Sequence, residues 1–170
     1  YSTLVWTDVG YTSPCAFEGG SERTITIGGW SKGWAMTGWR LGWITGPTKV
    51  MDGVKTINVS SATHVPTFLM SAAAKALSLD EEVQVMKDAF AERRLLMHQG
   101  LSSLPGFVVP EPEGAFYILA DITGTGLTDI EFAHQALEHA QVQVIPGSLM
   151  KGGDGLIRIS YATSIANIHE

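Results

Sequence analysis

Lys32 and Arg40 stand eight residues apart in the run Gly28-Gly29-Trp30-Ser31-Lys32-Gly33-Trp34-Ala35-Met36-Thr37-Gly38-Trp39-Arg40-Leu41-Gly42. An amine attacks a carbonyl carbon only when deprotonated, a state that a neighbouring cation or a dry pocket favours. Small residues crowd this lysine, and Arg40 could bind an anionic group of whatever the lysine holds. The chemistry expected is imine formation at Lys32 with an anion held at Arg40. Against it stand a lysine solvated in a glycine-rich loop and an arginine in a structural ion pair.

Two strands must position this pair. Thr24-Ile25-Thr26-Ile27 is a β-branched run bounded by Gly28 and Gly29, and Leu41-Gly42-Trp43-Ile44-Thr45 ends at Gly46-Pro47. Both read as strands, which leaves lysine and arginine in the connection between them. A helix is expected from Asp52, broken over residues 60–66, with Pro66 in the first turn of the next. Residues 67–78 are rich in Ala, Leu and Met. Asp80 is expected to cap a long helix whose apolar positions are Val83, Met86, Phe90, Leu95 and Met97. After Leu104-Pro105-Gly106 the pattern turns to short strands at 107–109, 116–119, 142–145 and 156–160. A helix from Thr128 or Asp129 to about Ala140 interrupts them.

The lysine run resembles the corresponding segment of the class I/II aminotransferases, in which such a lysine bonds to pyridoxal 5'-phosphate and the arginine eight residues on binds its phosphate. Tyr1-Ser2-Thr3-Leu4-Val5-Trp6 resembles the end of the family's Asp-x-x-Tyr strand. Pro112-Glu113-Gly114-Ala115-Phe116-Tyr117 is similar to its Pro-x-Gly-(Ala/Ser)-(Phe/Tyr)-(Phe/Tyr) entry into the small domain. Val144-Ile145-Pro146-Gly147-Ser148, followed by Ile157-Arg158-Ile159-Ser160-Tyr161-Ala162, is similar to its closing pair of strands. In detail the chain most resembles bacterial aspartate and broad-specificity aminotransferases.

The resemblance implies an α/β chain forming the C-terminal part of the fold type I pyridoxal-phosphate-dependent transferase fold. Residues 1–55 would end the large mixed-sheet domain, 56–103 would be interdomain helices, and 104–170 would form the small α/β domain. It implies that Lys32 is catalytic, that Tyr1, Ser31, Lys32 and Arg40 bind the cofactor, and that Arg158 grips the substrate's α-carboxylate. On its own strand Arg158 lies between Ile157 and Ile159 and points opposite to them, toward a ligand or toward solvent. Tyr1 is the first residue, where a strand frays. The resemblance further implies amino-acid and 2-oxo-acid substrates, a homodimer in the full-length protein, and a missing N-terminal half. The isolated chain is therefore expected to bind cofactor weakly or not at all. Two departures from the family pattern are Gly29, where a phosphate-binding serine is common, and the bulky Trp30, expected to pack rather than to touch substrate.

Other features exclude more than they assign. A formal charge of −6 gives no electrostatic footprint for nucleic acid. No stretch of about 18 apolar residues exists to span a membrane. The single cysteine, Cys15, cannot form an internal disulfide, which favours a reducing cytosol. The five histidines show no ligand spacing, so metal binding is not expected. Four tryptophans between 30 and 43 read as packing, and Gly152-Gly153-Asp154-Gly155 as a turn. Two other functions use the same lysine: a fold type I carbon-sulfur lyase, and an aminotransferase-like effector domain of a transcription regulator, which would carry a winged-helix segment upstream.

Overall fold

The computed structural model describes residues 1–170. The chain divides into two units, one made of Tyr1–Thr3 and Val9–Val85, the other of Leu4–Asp8 and Met86–Glu170. No helix is long and apolar enough to cross a membrane.

In the first unit β1 (Thr26–Gly29) and β2 (Gly42–Thr45) form an antiparallel pair, with Thr26 opposite Thr45 and Gly29 opposite Gly42. The strand expected at 24–27 thus begins two residues later and runs through both glycines, because Trp43 and Gly42 offer Gly28 and Gly29 ladder partners. A single turn, α1 (Trp30–Gly33), follows β1 directly. Then come α2 (Thr48–Ser61) and α3 (Thr67–Ala76). Helix α2 starts four residues before the expected Asp52. Pro47 provides its N-cap and accepts the amides of Val50 and Met51, so the chain can turn helical at once. Pro66 likewise precedes α3 as its cap. Few side chains are buried in this unit: Leu41, Ala73 and Ala76 are its buried apolar ones, while β2 is exposed along its length.

Helix α4 (Asp80–Ser102) contributes Asp80–Val85 to the first unit and the remainder to the second. The expected capping by Asp80 is not what occurs: the Leu79 carbonyl accepts the Val83 amide, and Asp80 stands inside the first turn with Glu81 and Glu82, where negative charge suits the helix N-terminus. Of its expected apolar positions Phe90 is buried and Met86 and Met97 pack against the core, whereas Leu95 is exposed.

The second unit carries a three-stranded antiparallel sheet in the order β3 (Tyr117–Asp121), β5 (Leu156–Ser160), β4 (Ile145–Pro146), with β5 central. Residues 107–109 do not form the expected strand; only a bridge between Val108 and Asp121 survives. Two apolar clusters fill one face. Leu4, Phe90, Phe116, Ile118 and Tyr161 form the first, and Ala120, Ile122, Val144 and Ile157 the second. Helix α5 (Asp129–Ala140) opens with a capping box: Thr128 Oγ1 accepts the Glu131 amide and Glu131 accepts the Thr128 amide at 2.9 Å. A short α6 (Ile165–His169) follows, with Ser164 as its cap.

The connection from β4 to β5 is packed rather than flexible. A methyl group on Gly147 would collide with the Gly153 carbonyl, and one on Gly153 with the Gly147 carbonyl, so both glycines permit a close backbone approach. Asp129 ties this connection to α5, its buried carboxylate accepting the Ser148 amide at 2.7 Å. Hydrogen bonding from Ser148 holds the Asp129 carboxyl below the usual range against an opposing burial effect. Bonds from Thr123 do the same for Asp121, and from Thr128 for Glu131. Folded pKa values below unfolded ones mean stability that is present above about pH 4 and lost as pH falls through the depressed folded values. Urea midpoints measured against pH should therefore drop on the acid side, and Asp129→Asn should flatten that limb. An equally steep acid limb in Asp129→Asn would contradict the assignment.

Candidate active site

The excursion between β1 and β2 is stapled at its base, where the Trp30 amide donates to the Leu41 carbonyl at 3.3 Å. Inside it, Ser31 and Lys32 are half-buried on the α1 turn and Gly33 is buried. The Trp30 indole donates to the Ala73 carbonyl at 3.0 Å, which fastens the turn to α3. Trp30 thus packs, as the sequence suggests. Two non-glycine residues of the excursion hold left-handed backbone, Ala35 at φ 52° and Arg40 at φ 54°. Each costs about 1–2 kcal/mol, a strain that persists only where surrounding structure imposes it. Arg40 closes a 3₁₀ turn over Thr37–Trp39, is exposed, and donates from Nη1 to the Thr37 carbonyl at 2.9 Å.

Beside this turn lies a cavity of about 410 Å³. Its walls come from the opening segment Tyr1–Thr3, from Tyr11 and Ser13, from both strands, and from Gly33 and Trp34. Hydroxyl side chains dominate the lining, and no carboxylate or cationic side chain belongs to it. Two glycines let the walls meet: a methyl on Gly33 would stand 2.9 Å from Thr3 Oγ1, and one on Gly28 would enter the Trp43 indole. Thr3 Oγ1 is buried without a hydrogen-bond partner, which costs about 1–3 kcal/mol and leaves a polar group at the wall unspent.

The geometry brings Tyr1 and the two residues following Lys32 onto one cavity wall. Ser31 and Lys32 themselves sit on the adjoining turn, and Arg40 lies at the far end of the excursion. Tyr1 is half exposed, at 51%. The lining fits pyridoxal 5'-phosphate in size, in its supply of hydroxyls for a phosphate and a ring oxygen, and in its freedom from acidic groups that would repel a dianion. Ser2, Thr3, Tyr11 and Ser13 are not among the residues that the sequence singles out. Hydroxyl-rich triplets at 1–3 and 11–13 are the available sign, but only the fold shows that they face one hollow.

Cys15 occupies a 3₁₀ turn, Pro14–Ala16, with its sulfur 3.6 Å from Thr26 Oγ1. Hydrogen bonding from Thr26, with smaller help from Ser13, lowers its pKa.

Arg158 belongs to the second unit, half-buried at the centre of β5. Its guanidinium lies 4.8 Å from the centre of the Tyr117 ring and makes no hydrogen bond or ion pair. Elsewhere in this unit Arg94 pairs with Glu111 at 3.1 Å, donates to the Pro112 carbonyl at 2.8 Å and lies over Trp6. Trp6 Nε1 and the Tyr161 hydroxyl both donate to the Ala115 carbonyl, at 3.0 and 2.8 Å. These bonds hold Ala115 at φ 61° and so set the start of β3. Burial pushes the Tyr161 phenol up in pKa, against the smaller effects of Trp6 and Arg94.

Comparison with known proteins matches the family described as aminotransferase class I and II over residues 1–170. An aspartate aminotransferase of Pyrococcus abyssi is 40% identical over 174 aligned positions, covering 100% of this chain and 44% of that protein. Aromatic-amino-acid aminotransferase 2 of Thermococcus litoralis is 38% identical, with the same shares covered. The crystal structure of an aromatic aminotransferase from Pyrococcus horikoshii superposes with a TM-score of 0.93 at 38% identity, over 99% of this chain and 46% of that one. The expected α/β fold is borne out, since the chain matches the C-terminal portion of solved aminotransferase structures. It spans less than half the length of these relatives. On sequence and on fold alike, this chain belongs to the class I and II aminotransferases.

Proposed function

We propose that the whole protein carrying this chain moves an amino group between an α-amino acid and a 2-oxo acid, using pyridoxal 5'-phosphate. One observation carries the reading: in a chain of this family, a half-buried lysine on the turn Trp30–Gly33 adjoins a hydroxyl-lined cavity of cofactor size, whose wall includes the next residue, Gly33. When bound, the cofactor supplies the electron sink for negative charge at the substrate's α-carbon.

The chain's own residues do the rest. Lys32 would hold the cofactor through its side-chain amine and would move the proton at the substrate's α-carbon, first as base and then as acid. Arg40 and Ser31 would hold the cofactor's phosphate, and Tyr1 would hydrogen-bond its ring oxygen. Arg158 grips the α-carboxylate, where its planar fork favours bidentate contact. Residues 1–55 end the large domain, 56–103 are interdomain helices, and 104–170 form the small domain of a homodimeric enzyme. The lone cysteine supports a cytosolic setting, and the negative charge argues against nucleic acid as a partner.

The test is isotopic. The whole protein, given a ¹⁵N-labelled amino acid and an unlabelled 2-oxo acid, should deliver the label to the new amino acid. Release of labelled ammonia with pyruvate instead would make the protein a lyase and overturn the proposal.

A further inference from the structure

Arg158 is a half-buried cation whose hydrogen-bonding capacity is unspent. Strand β5 is central, so Arg158 has a neighbour on each side: Leu119 opposite it on β3 and Ile145 opposite it on β4. Both are apolar, and neither side chain offers an acceptor. The guanidinium instead lies over Tyr117, two residues from Leu119 on the same face of β3, at 4.8 Å from the ring centre. That ring is itself anchored. Tyr117 meets Phe116 with centroids 4.7 Å apart, and Phe116 stacks on Phe90 at 5.3 Å with 16° between planes. Phe90 and Phe116 belong to the buried cluster. An aromatic series therefore runs from the core to the cation.

A long, unbranched side chain on a sheet face has many rotamers, and ordering it for bidentate binding costs entropy at the moment of binding. A ring face beneath the guanidinium removes that freedom in advance and leaves the N–H edge open, because cation–π attraction uses the flat face of the ion and not its donors. We propose that Tyr117 is a positioning residue for substrate recognition, holding the Arg158 guanidinium in the plane from which it takes the α-carboxylate. This inference rests on the assignment of Arg158 as the carboxylate-binding residue. The ring, not the phenol hydroxyl, does the work.

Steady-state kinetics of the whole enzyme test it. Tyr117→Leu should raise KM for the amino acid about threefold to thirtyfold with little change in kcat, the signature of lost ground-state binding. Tyr117→Phe should stay within about twofold of the parent, since the ring face remains. The inhibition constant of a substrate-like carboxylic acid should rise with KM in Tyr117→Leu, and that of its neutral carboxamide should not, a difference that general loosening of the fold cannot produce. Fluorinated phenylalanines at 117 keep the shape while draining negative charge from the ring face. They should raise KM stepwise, and they decide the matter if Tyr117→Leu does not fold. Arg158→Gln separates the two claims. If it leaves KM unchanged, the carboxylate assignment itself fails. If it raises KM while the fluorinated series does not, Arg158 stands and the role of Tyr117 is overturned, as it also is if Tyr117→Phe matches Tyr117→Leu.

Discussion

Lys32→Ala in the whole protein is expected to lower amino-group exchange by at least about a thousandfold and to abolish the visible absorbance of lysine-bound cofactor. On the proposed role of Lys32 two contributions would vanish together: the hold on the cofactor, and proton transfer at the α-carbon, which alone is worth about 10²–10⁴ in rate. Alanine should not disturb the fold. The turn that carries Lys32 is fixed by Trp30, through its amide on Leu41 and its indole on Ala73, and by the close contact of Gly33 with Thr3. Lys32→Arg is the sharper variant. It keeps the positive charge but replaces the amine with a guanidinium that does not deprotonate in proteins, so it should be as inactive as alanine. Substantial turnover in Lys32→Arg would mean that the residue acts only as a charge, and the proposed chemistry would fail.

Ile157→Ala should destabilise the second unit by about 2–5 kcal/mol. Ile157 is 0% exposed, lies on the central strand, and packs against Ala120, Ile122 and Val144. The cavity left there cannot close easily, because the neighbouring connection is already drawn tight by the Gly147 and Gly153 contact. A domain's whole stability is about 5–15 kcal/mol, so the loss is a large share. Leu119→Ala provides the comparison. It stands on the opposite face of the same sheet at 46% exposure, and truncation there should cost well under half as much. Urea unfolding followed by circular dichroism measures both, and equal costs would show that the core is not where these clusters place it.

Elements with a complete local specification are legible in the residues alone. Strand β5 is expected at its observed bounds, since Leu156 to Ser160 alternates and is bounded by Gly155. Helix α5 is legible because Thr128 and Glu131 carry their own start as a capping box. Elements whose limits depend on a partner are not. Val108 has strand character, but only Asp121 lies opposite it, so a three-residue run reduces to one bridge. Leu95 fits the helical period of α4 and is nevertheless exposed, because periodicity gives the spacing of a stripe and not which residues at its edge meet a neighbour.

The candidate site divides the same way. Lys32, Arg40, Tyr1, Ser31 and Arg158 can be named from residue types, spacing and family likeness, none of which requires coordinates. That Thr3 presses on Gly33, that Tyr11 and Ser13 face the hollow entered by Tyr1, and that a tyrosine ring underlies Arg158 are contacts between segments that spacing does not relate. Residue order along the chain thus sets which chemical groups are available and how far apart they stand in one dimension. Which of them share a surface is settled in three, because proximity across strands depends on pairing register and packing, and no local pattern encodes either.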